Sequence, residues 1–325
     1  MFIKNFKQLS KIDVSLAGGK GASLGEMTQA KMPVPSGFVL LASAFNRFLE
    51  ETDLAVEIAA VLKKINYKDI NSVDKASNVI RDLIHDQPMP VDIKKEILAE
   101  YYKLSGRPHP SPRLKTGGEF FVAVRSSATA EDSSVASWAG ELETYLDTIE
   151  KTLLDNVKKC WSSLFTPRAI FYRQEKKLLK TKVSVAVVIQ KMVESEISGI
   201  AFTVHPVTRD KNQLIIEAGW GLGEAIVSGQ VTPDAYVVDK RDLSIMDINI
   251  AKQEMMIIRK AGGGIKHAAV AKAKLEKQKL NGKQIIELAK ICVQIEKHYK
   301  KPQDIEWAFA KGKFYITQSR PITTL

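Results

Sequence analysis

Groups that handle phosphate stand near both ends of this sequence. Gly18, Gly19, Lys20 and Gly21 precede a helical pattern, so backbone N–H groups and an ammonium would meet at a helix N-terminus, an anion-binding arrangement. The Walker A spacing, GxxxxGK[ST], is not met, because Gly21 follows Lys20. The same four residues also fit a Gly-rich turn with a solvated lysine. Arg125 follows a short β-type run, Phe120 to Val124, and a guanidinium at a strand end can grip phosphate oxygens in bidentate fashion. Ser134 to Gly140 is rich in small residues and suits either a flap with backbone donors or an ordinary surface loop. Gly219, Gly221 and Gly223 miss the dinucleotide fingerprint by one position, which excludes a Rossmann site.

The C-terminal segment adds acids. Asp304 and Glu306 alternate with Ile305, Trp307 and Phe309, and carboxylates on a half-buried strand need a partner. Magnesium is one such partner, since a hard cation takes oxygen ligands and a triphosphate completes its octahedron; a salt-bridged edge hairpin is the other reading. Gln318 could supply a further oxygen, and Arg320, two residues on, could neutralise phosphate charge. Strand parity decides this. A two-residue loop at Lys311-Gly312 would put Glu306 and Gln318 on opposite faces, whereas a three-residue loop, Ala310 to Gly312, aligns them. The three-residue loop is predicted, with Gly312 left-handed.

The positioning elements follow from periodicity and punctuation. Ser23 to about Leu104 is mainly helical, with Ile93, Ile97 and Tyr101 on one face after Pro90. Ser105 to Gly118, with Pro108, Pro110 and Pro112, reads as a linker or long loop. Thr152 to Leu179 is helical, restarting at Pro167 with Thr166 as cap. After Lys182 come short β-type runs, Ser184 to Gln190, Gly199 to Val204, Gln213 to Ala218, Ala235 to Asp239 and Ser244 to Asn249, then a helix capped by Asn281 and the terminal hairpin. The expected division is residues 1–182, α-rich, and residues 183–325, sheet-based.

With 325 residues, 45% hydrophobic and 26% charged, the chain is too long for one small core and too apolar for disorder. Its two cysteines, Cys160 and Cys292, exclude a disulfide framework and a Cys-based zinc site and suit a reducing, cytoplasmic setting. No apolar stretch is long enough for a signal or a bilayer span, so no membrane partner is expected. The net charge of +11 comes largely from runs such as Lys266 to Lys283, which lack interleaved aromatics and read as solvated faces, so no nucleic-acid partner is expected either. His85, His109, His205 and His298 have no metal-like spacing.

Six segments occur in an order that resembles the ATP-binding part of the phosphoenolpyruvate synthase and pyruvate phosphate dikinase family, to which rifampicin phosphotransferase is related. They are AGGKGASLGEM (17–27), VRSSATAED (124–132), ASWAGELET (136–144), GIAFTVHPVT (199–208), EAGWGLGEAIVSG (217–229), and DIEWA with ITQSRPI at the end. The resemblance implies an α+β, ATP-grasp fold with the nucleotide cleft between two lobes. It implies ATP and Mg2+ as cofactors, with Lys20 and Arg125 on the phosphates, the Gly140 loop over them and Gln190, Lys191, Met192 and Val193 beside adenine. Thr144 and Glu217, inside matched segments, join the nucleotide-binding set. Glu306 and Gln318 would bind magnesium with Asp304 nearby, and Arg320 would contact the phosphates.

The activity so implied is phosphoryl transfer to a histidine on a swivelling domain, then to pyruvate on a barrel. Both would lie on a partner domain or chain, because nothing in these residues resembles them. Gly262 to Gly264 before His267-Ala268-Ala269 is similar to the family's histidine motif but lacks its hydroxyl residues, so His267 is expected to be a solvated loop histidine. Ser133-Ser134 stands where relatives often have Leu-Pro, and Leu142-Glu143-Thr144 where Gln-Asp-Thr is common. Between Phe202 and Thr208 rifampicin phosphotransferase is matched about as well as the synthase, leaving the acceptor, pyruvate or drug, open.

Overall fold

A computed structural model of the chain describes residues 1–106, 119–129, 143–178 and 183–323. The helical and β-type stretches form an α+β protein with two compact units, residues 1–26 with 36–192 and residues 27–35 with 193–325. The chain therefore passes to the second unit after Met192, later than the change of texture at Lys182. The apolar run after Ser184 belongs to the first unit, and composition alone does not reveal which sheet a strand joins.

In the first unit, β1 (Ile3–Asn5), β2 (Gly37–Leu40), β3 (Val122–Ala128), β4 (Thr144–Thr148) and β5 (Val185–Lys191) form a five-stranded sheet in the order β1-β2-β5-β3-β4. Every neighbouring pair is antiparallel. β2 is absent from the sequence expectation, since Phe38 to Leu41 is a short apolar run that periodicity cannot separate from a buried helical turn. The helices are α1 (Val14–Gln29), α2 (Ala42–Glu51), α3 (Leu54–Lys63), α4 (Ile70–Asp86), α5 (Val91–Ser105), α6 (Glu150–Ser162) and α7 (Pro167–Glu175). As expected, Ile93, Ile97 and Tyr101 are buried on α5, and the Thr166 hydroxyl accepts from the Ala169 N–H at the start of α7.

One face of this sheet, Val122, Val124, Ala128, Val185, Val187 and Ile189, packs in a core with Phe45, Phe48 and Trp161. The Phe48 and Trp161 ring centroids lie 5.0 Å apart. Ala123, Arg125, Ser127, Ala186, Val188 and Gln190 alternate with those residues and occupy the other face. This face is covered by α1, where a Cβ on Gly21 would lie 3.1 Å from Val39 Cγ2.

In the second unit, β6 (Ile197–Phe202), β7 (Gln213–Trp220), β8 (Asp234–Asp239), β9 (Ile245–Asn249), β12 (Gln303–Ala310) and β13 (Lys313–Pro321) form a six-stranded antiparallel sheet ordered β13-β12-β6-β7-β8-β9. β10 (Met255–Arg259) and β11 (Ile265–Ala269) make a separate hairpin, also unexpected from sequence, because Lys266 and His267 break its apolar pattern. His267 is thus on a strand and exchanges a 2.9 Å hydrogen bond with Gln230. The short helix α8 (Glu224–Val227) follows the glycines, and α9 (Gly282–Tyr299) starts at the predicted Asn281 cap, whose side chain accepts from the Gln284 N–H. Ile285, Leu288, Cys292 and Ile295 are buried on one stripe of α9.

A buried ion pair ties this unit together. Lys279 Nζ lies 2.7 Å from Asp234 Oδ1, and both side chains are fully shielded. Asp234 also accepts from the Ala251 and Lys279 N–H groups and the Tyr236 hydroxyl, so the charge is fully solvated by protein. Among the described residues, no helix is long and apolar enough to cross a membrane.

Candidate functional site

In the first unit, the Gly-Lys segment lies inside a helical run instead of preceding it. α1 begins at Val14 and is broken at Gly18, whose backbone (φ 68, ψ 172) is left-handed and extended. The helix therefore restarts here, with Lys20 in the new first turn. The break needs glycine: a Cβ there would lie 2.2 Å from Ser127 Oγ and 2.3 Å from the Ser127 carbonyl oxygen.

Arg125 is likewise not at a strand end. β3 continues to Ala128 because its serines have internal partners: Ser126 Oγ donates to the Glu143 carbonyl and Ser127 Oγ to that of Ala17. Arg125 is buried mid-strand, paired with Val188 on one side and Thr144 on the other. Thr144 therefore shares its face, and so does Gln190, opposite Ala123. The Gln190 side-chain nitrogen is buried without a hydrogen-bond partner among the described residues, a donor that a ligand acceptor could satisfy.

Glu143, next to Thr144, is held by Arg81 at 3.0 Å and by the Tyr145 hydroxyl. Burial and then the Glu143 carboxylate push the Cys160 thiol up, while the Lys20 ammonium pulls it down. Lys20 and Glu143 are thus both close enough to bias one buried sulfur, which is inert as a nucleophile. The Lys191 N–H donates to Ser36 and the Met192 N–H to Phe121, fixing the last residues before the crossing at Val193. Gly140 and the Ser134 to Gly140 stretch lie outside the described residues.

In the second unit, the terminal hairpin turns at Lys311-Gly312 with φ of 52 and 74, a two-residue loop that pairs Ala310 with Lys313. The predicted three-residue loop is therefore incorrect, although Gly312 is left-handed as expected. Simple alternation from this turn would send Gln318 to the core side with Phe314 and Ile316. A β-bulge intervenes: Trp307 pairs with Ile316 but Glu306 with Gln318, which leaves Thr317 as the extra residue. The parity is reset. Ser319 now turns to the core side, donating to Gln303 Oε1, and Gln318 and Arg320 turn to the side of Glu306 and Asp304.

Asp304 Oδ2 accepts from both Nε and Nη2 of Arg320, at 2.9 and 2.7 Å. Burial nevertheless outweighs that guanidinium, and the Asp304 carboxyl sits above its ordinary range, with Glu306 adding to the rise. The ladder Gln318, Glu306, Ile200, Glu217 runs across four adjacent strands, so Glu217 lies on the same face roughly 10 Å from Glu306. Burial, then Asp304, raises the Glu217 carboxyl too. Among the described residues, no three His, Cys, Asp or Glu side chains gather tightly enough to hold a metal ion by themselves. One carboxylate and one carboxamide are a hard-oxygen set that suits a cation arriving with phosphate oxygens.

Sequence reasoning does not single out Ser127, whose hydroxyl contacts the break in α1, or Thr317, the bulge residue. The only trace of the first was the close spacing of glycines around Lys20; a bulge leaves no comparable mark.

Known proteins match this sequence over its whole length. The chain is 47% identical over its whole length to a probable phosphoenolpyruvate synthase of Methanocaldococcus jannaschii, of which it covers 27%. It is 44% identical, again over its whole length, to the phosphoenolpyruvate synthase of Pyrococcus furiosus, of which it covers 44%. Rifampicin phosphotransferase of Bacillus subtilis is 38% identical over 98% of the chain, which covers 35% of that enzyme. The chain thus spans less than half the length of these curated relatives. Residues 14–325 match the family described as pyruvate phosphate dikinase, AMP/ATP-binding domain, and the chain belongs to that family.

Proposed function

We propose that this chain is the Mg–ATP-binding part of a phosphoenolpyruvate synthase-like phosphotransferase with an ATP-grasp fold. The observation that carries the reading is the reset register of the terminal hairpin, which sets Glu306 opposite Gln318 and aligns Arg320 with Asp304. Lys20 and Arg125 hold the phosphates, the Gly140 loop covers them, and Thr144 supports that end. Gln190 donates to the adenine ring, flanked by Lys191, Met192 and Val193. Glu306 and Gln318 hold Mg2+, Asp304 orients Arg320, and Glu217 completes the polar lining. When bound, Mg2+ neutralises developing charge on the phosphate oxygens.

The cationic side chains act by electrostatic preorganisation. A histidine nitrogen on the partner domain or chain bonds to the β-phosphorus as the bond to the α-bridging oxygen breaks and AMP leaves. The γ-phosphate is lost to water, and the remaining phosphoryl group passes to pyruvate. The sum is pyruvate, ATP and water to phosphoenolpyruvate, AMP and phosphate. Two buried thiols suit a cytoplasmic setting.

The identity to rifampicin phosphotransferase over 98% of the chain favours a second reading, in which the same nucleotide site serves a drug hydroxyl. Mixing the chain with a separately prepared histidine domain of a phosphoenolpyruvate synthase and β-labelled ATP tests the transfer. AMP and acid-labile label on histidine are expected; bound ATP with neither product overturns the transferase reading. Transfer onward to rifampicin but not pyruvate would select the second acceptor.

A further inference from the structure

In an unbroken helix the Ala17 carbonyl would accept from the Gly21 N–H, four residues on. In α1 that bond is opened and a side chain from β3 is inserted into it. Ser127 Oγ accepts from the Gly21 N–H at 3.2 Å and donates to the Ala17 carbonyl at 2.9 Å. A hydroxyl does both jobs at once, as donor and acceptor. Ser127 is fully buried, and Gly18 allows the helix backbone to reach it.

We infer that Ser127 is a positioning residue for Lys20. The inserted hydroxyl fixes where the helix restarts, and so fixes the turn that carries the ammonium. It also ties that turn to β3, two residues from Arg125 on the same face of the strand, so the cations are set by one local frame. A serine placed only for packing would leave the Lys20 turn unchanged when its oxygen is removed. Ser127 touches no substrate; its effect passes through Lys20. The functional arm of this inference rests on the nucleotide reading, while its structural arm does not.

The test uses the whole chain as Ser127→Ala, Ser127→Thr, Lys20→Ala and the Ser127→Ala/Lys20→Ala double variant. ATP and adenosine affinities are measured by calorimetry, and amide hydrogen exchange is followed at Gly21. Ser127→Ala should weaken ATP about tenfold while leaving adenosine binding unchanged, Ser127→Thr should restore most of the loss, and Ser127→Ala should cost little once Lys20 is gone. Exchange at Gly21 should quicken in Ser127→Ala and stay slow in Ser127→Thr. Equal losses for ATP and adenosine, full additivity with Lys20→Ala, or unchanged Gly21 exchange would overturn the inference. Failure of the unsubstituted chain to bind ATP would instead overturn the nucleotide reading, and the exchange arm would still decide whether Ser127 holds the Lys20 turn.

Discussion

The two units solve the same problem, aiming charged side chains on or beside a sheet, with different devices. In the first unit a side-chain hydroxyl enters a helix ladder, so Lys20 is placed by an element that crosses the sheet face. In the second, an extra residue in the strand itself, Thr317, changes which way Gln318 and Arg320 turn. The first device depends on a particular chemical group and should be sensitive to the atom at position 127. The second depends on residue count, and should tolerate many side chains at position 317 but not a further residue inserted beside it.

The two units should differ most in stability. The first unit's core centres on Trp161 among phenylalanines, whereas the second encloses the Lys279–Asp234 pair. Lys279→Ala leaves a buried carboxylate uncompensated and should cost about 3–5 kcal/mol in urea unfolding, concentrated in the second unit. Hydrogen exchange would show the location; loss confined to the first unit would contradict it.

Inserting an alanine between Thr317 and Gln318 should carry Gln318 one position past Glu306 to the core side and lower Mg–ATP affinity at least about 100-fold, with helix content unchanged by circular dichroism. Thr317→Ser, by contrast, should bind as the unsubstituted chain does. Glu306→Gln should weaken binding about tenfold, and the loss should appear with magnesium present and vanish in EDTA. A loss that persists without the metal would assign Glu306 to the nucleotide directly.

The smallest effect concerns pH. Burial and Asp304 raise the folded-state Glu217 carboxyl above its ordinary 4.5. Its contribution is therefore fully present below the unfolded value and is lost as pH rises through the raised one. Glu217→Gln should raise the melting temperature at pH 7 by a degree or two, roughly, and the difference should close towards pH 4.

Much of this fold was legible in the residues. Pro167 with Thr166, the Asn281 cap and the alternation of Asp304 and Glu306 announce their elements through local chemistry, and each element is found where expected. β2 and the β10–β11 hairpin were not legible: the first is a run too short for periodicity, and the second breaks the alternation that would identify it. The site residues were legible by type and only partly by geometry. The β-type run stops at Val124 by residue type, but the strand continues through Ser126 and Ser127 because their hydroxyls are satisfied by Glu143 and Ala17, contacts that no local pattern contains. The hairpin loop differs from the sequence expectation because the turn alone does not set parity; the molecule sets it with a bulge several residues away.

The proposed function requires that the cations of the first unit and the oxygens of the second serve one nucleotide. Calorimetric titration with a non-hydrolysable ATP analogue and magnesium, on the unsubstituted chain, Lys20→Ala and Glu306→Gln, tests it directly. One analogue bound per chain, with that single isotherm weakened by each substitution, is the predicted result. Two isotherms lost separately, or binding untouched by either substitution, would contradict it.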